Sequence, residues 1–354
     1  MSRSNAVSYL RELQSRRHRS RAIALLLLIV TALAGCSSSA VLLGLRTRLQ
    51  NEPVTQISAS LGDASGLAPG HSAQLVIVAS TSDGKQLTTT GAGHGKVLFD
   101  SFTFDTRIAQ VSEDGVVSLP ADPRLSRGQL PHIHIGVVGH PNVVADLDVL
   151  VRYDVAFVAD FSGIAGTDGM DGMNGTDGSA GSDGSIDPSN PSAGPGAGGR
   201  GGDGDAGKDG DNGQPGQPGE AVQIWVRLDA DSPQLLQVRV AGDHQEKWFL
   251  VDPNGGSLTV KADGGPGGRG GKGGRGGQGG RGGSGFPSGL AGTDGRNGWD
   301  GTDGRAGKAG TLLVSIDPAA LAYKSSLVLS NKDGNGTPGP APQFHVESLA
   351  APLW

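Results

Sequence analysis

Three histidines stand close together at His132, His134 and His140. The first two lie two apart in "HIHIGVVG", which reads as a strand, so both imidazoles face one side and could chelate a metal. No third ligand is spaced to complete such a site, which favours two partly exposed strand histidines instead. "GGRGGDGDA" at 198–206 approaches the calcium nonapeptide G-G-x-G-x-D-x-U-x, but Asp205 takes its apolar position and no nine-residue period follows. The rows of Asp nearby could recruit Ca²⁺ weakly, so a calcium-assisted binding module stands as an alternative. G-x-S-x-G, H-E-x-x-H and G-x-x-x-x-G-K-[ST] are all absent, and the many G-x-G fragments open no helix. No catalytic residue, cofactor or metal ligand is therefore assigned, and the chain reads as a non-enzyme.

The single cysteine, Cys36, has a different chemistry. Residues 1–21 carry six Arg and one Glu, and "AIALLLLIVTALA" follows from Ala22 to Ala34. Thirteen apolar residues suit a signal-peptide core and are short for a membrane span. Leu33-Ala34-Gly35-Cys36 resembles the lipobox of bacterial lipoproteins. The resemblance implies a signal peptide over 1–35, cleavage before Cys36, acylation of that residue, and a lipidated tether over 36–53. The rival is an uncleaved anchor helix, since Ala22–Leu45 is uncharged for 24 residues with Arg on both sides. Both readings put the rest of the chain outside the cytoplasm of a bacterial cell envelope. Inner and outer membrane are not distinguished.

The elements that would hold any site are unusual. Of 354 residues 62 are Gly and only 4 % are aromatic, too few large apolar groups for one conventional core. The formal charge of −6 excludes nucleic acid as an obvious partner. From Val54 short β-type runs alternate with turns: 72–80, 96–104, 108–119, 132–139 and 145–160. This predicts a β-sandwich over 54–160. "LAPGHSAQLVIVASTSDGK" and "AQVSEDGVVSLPADP" resemble bacterial Ig-like domains.

Four glycine runs follow. Gly recurs every third residue from Gly163 to Gly184, Gly198 to Gly219, Gly264 to Gly285 and Gly289 to Gly310, eight times in each. Flexible linkers would not share one length. Strand patterns enter the first and third runs (153–160, 256–263) and leave the second and fourth (221–229, 311–317). "DPNGG" at 252–256 is a hairpin signal. The order strand, outward run, tip, returning run, strand thus occurs twice, which predicts a mainly β fold. Its module over 161–330 is a β platform carrying four runs as two antiparallel hairpins, and 331–354 is left as a tail.

A three-residue period matches polyproline II, in which every third side chain shares one ridge, and a bare ridge admits another backbone. Each run would span about 68 Å at 3.1 Å per residue. The third run, "GGPGGRGGKGGRGGQGGRGGSG", has two bare faces and is expected at the bundle's centre. Its Arg269, Lys272, Arg275 and Arg281 would face Asp rows of the first two runs, with charge setting the order of rods. Trp299 is expected over a basic neighbour. The runs resemble the polyproline II bundles of glycine-rich antifreeze proteins and phage tail-fibre adhesins. They also resemble bacterial collagen-like proteins, which implies a trimer in place of a monomeric bundle. Candidate binding residues are those of the tips, Pro188, Asn190, Pro191, Phe286 and Pro287. The function expected is a structural or adhesive lipoprotein, held to the membrane by its N-terminal lipid and contacting an unidentified envelope or surface ligand.

Overall fold

The computed structural model describes residues 45–190, 192, 194–350 and 352–354. Cys36, the signal peptide and most of the alternative anchor lie outside the described residues, as does Pro191. Among the described residues no helix is long and apolar enough to cross a membrane. The chain divides into two compact units, the first ending at Arg152 and the second beginning at Tyr153.

The first unit is built of three three-stranded antiparallel sheets. β1 (Val54–Ser60), β3 (Val76–Thr81) and β4 (Gln86–Thr88) form one, in the order β1-β3-β4. β2 (Ser72–Gln74), β6 (Gln110–Val111) and β7 (Val116–Ser118) form the second, with β7 central. β5 (Phe102–Arg107), β8 (His132–Val137) and β9 (His140–Asp148) form the third, with β8 central. Alternation along β3 and β8 sends Ile77, Ala79, Ile133 and Ile135 into one core with Leu49, Leu75, Val117 and Val149. The unit starts earlier than its strand pattern. Thr47 bridges Val97 and Leu49 is fully buried, so the expected tether over 36–53 is packed at its C-terminal end. It also ends earlier, because the run at 145–160 breaks after Asp148 and its last strand pairs in the second unit.

That strand is β10 (Ala156–Asp160). It pairs in parallel with β14 (Ser257–Lys261), which pairs in parallel with β16 (Leu327–Ser330). β11 (Ala221–Leu228) and β12 (Leu236–Ala241) join β13 (Glu246–Val251), β15 (Thr311–Ile316) and β17 (Gln343–Val346) in a sheet ordered β13-β12-β11-β15-β17. Val222, Ile224 and Val226 of β11 and Leu258 and Val260 of β14 are buried, and Phe157 meets Phe249 at 5.9 Å between ring centres. The "DPNGG" turn is no hairpin. It passes the chain from one sheet to the other, closed by Gly256 N–H on the Asp252 carbonyl at 2.7 Å.

Every outgoing strand lies in the three-stranded sheet and every returning strand in the five-stranded one. β10 leads into rod A (163–184) and rod B returns (198–219) to β11; β14 leads into rod C (264–285) and rod D returns (289–310) to β15. The unit occurs a third time, shortened, in what read as a tail. β16 leads into rod E (331–334), the chain turns at 335–337, and rod F (338–341) returns towards β17, which pairs in parallel with β15. Gly264 N–H donates to the Lys332 carbonyl at 2.7 Å, Gly334 N–H to Gly307 at 2.9 Å, and Gly339 N–H to Asn331 at 2.7 Å. The rods alternate in direction within one chain, whereas a collagen triple helix needs three parallel strands.

Candidate functional site

Polyproline II has no internal hydrogen bonds, so each rod must satisfy its backbone through neighbours. Rod A's first-position glycines donate to rod C, from Gly163 to Asp263 O at 2.8 Å through Gly184 to Ser284 O at 2.7 Å. Rod B's first-position glycines donate to rod D, from Gly198 to Pro287 O through Gly219 to Lys308 O, both at 3.0 Å. Second-position N–H groups of B donate to A, as Lys208 does to Met173 O at 2.8 Å. The second glycines of C donate to B, as Gly271 does to Asp211 O at 2.9 Å. Rod D's first-position glycines donate to C, as Gly298 does to Gly274 O at 2.8 Å. Rods B and C therefore each touch three full-length rods, and A and D touch two. Rod C shares the centre with B.

The bare ridges are steric necessities. A Cβ on Gly271 would lie under 3.0 Å from the Met170 carbonyl carbon and oxygen. The second glycines of rod C, from Gly265 to Gly283, are all buried. Two glycines per triplet let this rod press against A on one ridge and D on the other.

The Asp rows work differently from the expected charge pairing. Asp168, Asp171, Asn174, Asp177 and Asp183 of rod A accept from the backbone N–H of Arg269, Lys272, Arg275, Gln278 and Ser284, at 2.7–2.8 Å. Rod D caps the other side of rod C. Asp294, Asn297, Asp300 and Asp303 accept from Gly279, Gly276, Gly273 and Gly270 at 2.8–2.9 Å. Asp203, Asp209 and Asn212 of rod B do the same for Thr293, Trp299 and Thr302. A short carboxylate or amide reaches a neighbouring rod's N–H, while Arg269, Lys272, Arg275 and Arg281 extend into solvent. Among the described residues none of those four bases forms an ion pair with an Asp of rod A or B. The Thr293 N–H, with its hydroxyl and Arg200, holds Asp203 below the usual carboxylate range. The nonapeptide-like stretch is thereby occupied, since Asp203 also pairs with Arg200 at 3.0 Å and Asp205 takes the Thr176 hydroxyl.

The structural glycines Gly163, Gly184, Gly198, Gly219, Gly264, Gly285, Gly289 and Gly310 are the end members of these ladders. Each makes its rod contact except Gly285, whose missing Cβ leaves room for the Gly198 N–H and the Gly196 carbonyl. The tips are joined there: Phe286 N–H donates to Gly196 O at 3.0 Å. Pro188, Asn190 and Pro287 are exposed, with Asn190 N–H on the Asp187 carbonyl at 3.0 Å. Ser189, through its hydroxyl and then its N–H, lowers the pKa of Asp187. Phe286 is 85 % exposed, and Ile186 and Leu290 are 56 % and 75 % exposed. The chain of candidate tip residues thus gains two apolar members that the sequence did not single out.

Two further expectations come apart. Trp299 is 72 % exposed, and among the described residues no cation stands over its ring; cation–π pairs form elsewhere, as Arg239 on Trp225, Lys247 on Phe161 and Lys324 on Phe344. His132 and His134 share a face as expected, but each is answered across the sheet by a carboxylate. Their Nδ1 atoms lie 2.7 Å from Asp148 and Asp146. Hydrogen bonding to Asp148 raises the pKa of His132, and that to His134 lowers Asp146. His140 sits apart and donates from Nε2 to the Leu49 carbonyl at 3.1 Å. Among the described residues no group of three His, Cys, Asp or Glu is arranged to hold a metal. The chain matches no family model, no curated protein and no solved structure.

Proposed function

We propose that this protein is a non-enzymatic lipoprotein of the bacterial cell envelope, tethered through Cys36, that presents a polyproline II bundle outside the membrane as a structural or adhesive element. The observation that carries the reading is the end of the bundle remote from its sheets. Ile186, Phe286 and Leu290 stand exposed there, on a scaffold whose four rods are tied by backbone ladders. Large apolar side chains grouped on a rigid end favour contact with another surface. Rods of eight triplets hold that end about 68 Å from the strands that feed them.

The test is attachment of cells displaying the full chain to glycan-coated, protein-coated and bare polystyrene wells. The double variant Phe286→Ser, Leu290→Ser should abolish attachment and leave the circular dichroism unchanged. Attachment equal to wild type overturns the adhesive reading. Mass spectrometry of the purified chain should find the N-terminus at Cys36 carrying acyl chains, and Cys36→Ala should release the protein from membranes.

A further inference from the structure

Rods E and F stop after one turn, and what they leave open is a groove. At its base the groove is filled by the chain itself. Lys332 accepts from Gly264 of rod C, Gly334 donates to the Gly307 carbonyl of rod D, and Asp263 accepts from Lys332 N–H at 2.7 Å. This is the pattern by which rod A holds rod C, where Gly163 donates to Asp263 O and Asp168 accepts from Arg269 N–H.

Above the first turn both rows continue without a rod on them. On rod C, among the described residues, the N–H groups of Gly267, Gly270, Gly273, Gly276, Gly279 and Gly282 meet no backbone carbonyl. Four of them are held only by the side chains of Asp303, Asp300, Asn297 and Asp294. On rod D the carbonyls of Gly304, Gly301, Gly298, Gly295 and Gly292 take the position over rod C's glycines that the Gly307 carbonyl takes over Gly264. Among the described residues no backbone group donates to these five. A donor row and an acceptor row, one triplet apart and bare of side chains on rod C, are the polyproline II counterpart of an open sheet edge.

We infer that the groove between rods C and D binds an extended glycine-rich polypeptide, with Gly at every third residue, as a further rod. The bound strand runs parallel to C and antiparallel to D, as residues 331–334 do. Its glycine N–H groups donate to Gly304 through Gly292, and its residues following glycine accept from Gly267 through Gly282. Glycine is required at each donating position because the strand packs there against the backbone of rod C, as Gly334 does, where a Cβ would lie under 3.0 Å from the Gly265 carbonyl carbon and oxygen. The side chains at 294, 297, 300 and 303 occupy the donors in the empty groove and swing aside on binding. This surface is separate from the exposed tips and does not depend on their role.

The experiment titrates the full chain with an 18-residue peptide of six Gly-Ser-Pro triplets, whose prolines pre-form the extended helix without removing either needed donor. Its control is a peptide of the same composition with the glycine period broken. Saturable binding of the periodic peptide alone, with amide exchange slowed at Gly267–Gly282, is expected. The variant Asn297→Ala, Asp300→Ala should bind about fivefold tighter, since two competing side-chain hydrogen bonds no longer need displacing. Alanine already occupies this position at Ala291 and Ala306, so the variant keeps the fold. The inference is overturned by no saturable binding to either protein, by equal binding of the broken-period control, or by protection outside rods C and D.

Discussion

Substituting Gly271 by alanine isolates the close approach that builds the bundle. In most loops a tolerated Gly→Ala change stabilises by about 0.4–1 kcal/mol, through the unfolded chain. Here the new methyl meets the Met170 backbone, and both partners are backbone, so rods A and C must separate locally. Three hydrogen bonds cross that contact, and one more ties the displaced Met170 carbonyl to rod B. They are Gly169 N–H to Arg269 O at 2.8 Å, Gly172 N–H to Lys272 O at 2.7 Å, Asp211 N–H to Met170 O at 2.9 Å, and Lys272 N–H to Asp171 at 2.7 Å. At about 1 kcal/mol each the loss is about 4 kcal/mol, and the unfolded-state gain reduces it to about 3. For a unit of this size that lowers the midpoint by about 6–12 °C. The control is Arg275→Ala, an exposed third-position change that should stay within about 0.5 kcal/mol. With two units present, a single whole-chain midpoint is ambiguous. The assay is therefore thermal unfolding followed by the polyproline II dichroism band, with hydrogen exchange at Gly169 and Gly172. A Gly271→Ala chain that melts with or above wild type, with those amides still protected, refutes the close-packing argument.

Removing one side-chain cap, Asp171→Ala, should cost about 1 kcal/mol in the same melt, while Asp171→Asn should be near neutral because an amide oxygen accepts equally well. Neutralising the solvent-facing row by Arg269→Gln, Lys272→Gln and Arg275→Gln should leave both the melting point and its salt dependence unchanged, whereas rod pairing by charge would make both fall. In acid, Asp203, Asp187 and Asp333 are lowered from the usual value of 3.8, and Asp83 is lowered to about 2, chiefly by its hydrogen bond to Lys85. Their contribution is complete above the unfolded carboxylate pKa and is lost as pH falls from there through the lowered values, so a pH–melting curve should decline between about 4 and 2. His132 runs oppositely: its pKa is raised from 6.5, so its contribution is complete below 6.5 and disappears as pH rises through the raised value. Imidazole proton shifts for His132 should titrate above the ordinary range, and Asp148→Asn should lower that midpoint, with Asp146 still beside the ring.

Equal glycine counts made the two long hairpins legible, because a period of three with a common length has one economical geometry. The third hairpin escaped the same test. Rods E and F hold about one triplet each, and "NKDGNGTPGP" has no period to count. The tail assignment followed from that brevity. The role of the Asp rows was legible in principle and was misread as charge. Asn174, Asn212 and Asn297 take the same place before glycine as the acids around them, and each caps a neighbouring N–H. A neutral residue in an acidic row marks an acceptor of hydrogen bonds, since it keeps the oxygen and drops the charge. The boundary after Arg152 was hidden for another reason. β10 alternates like any sandwich strand, and only its parallel partner β14, some hundred residues on, assigns it to the second unit.

That partner also explains why rods without side-chain interdigitation do not slip. A polyproline II rod could slide by one triplet against its neighbour and find the same glycine ridge. The sheets remove this freedom. β10 and β14 pair with a shift of 101 residues, and Asp168 caps Arg269 with the same shift. β11 and β15 pair with a shift of 90, as Asp203 and Thr293 do. β14 and β16 pair with a shift of 69, as Asp263 and Lys332 do. Strand and rod are thus one continuous ladder, and the register is set where Val, Ile and Leu side chains discriminate between positions. The repetitive rods inherit it. A glycine lattice that carries almost no positional information of its own becomes unique because its roots are anchored in sheets that do.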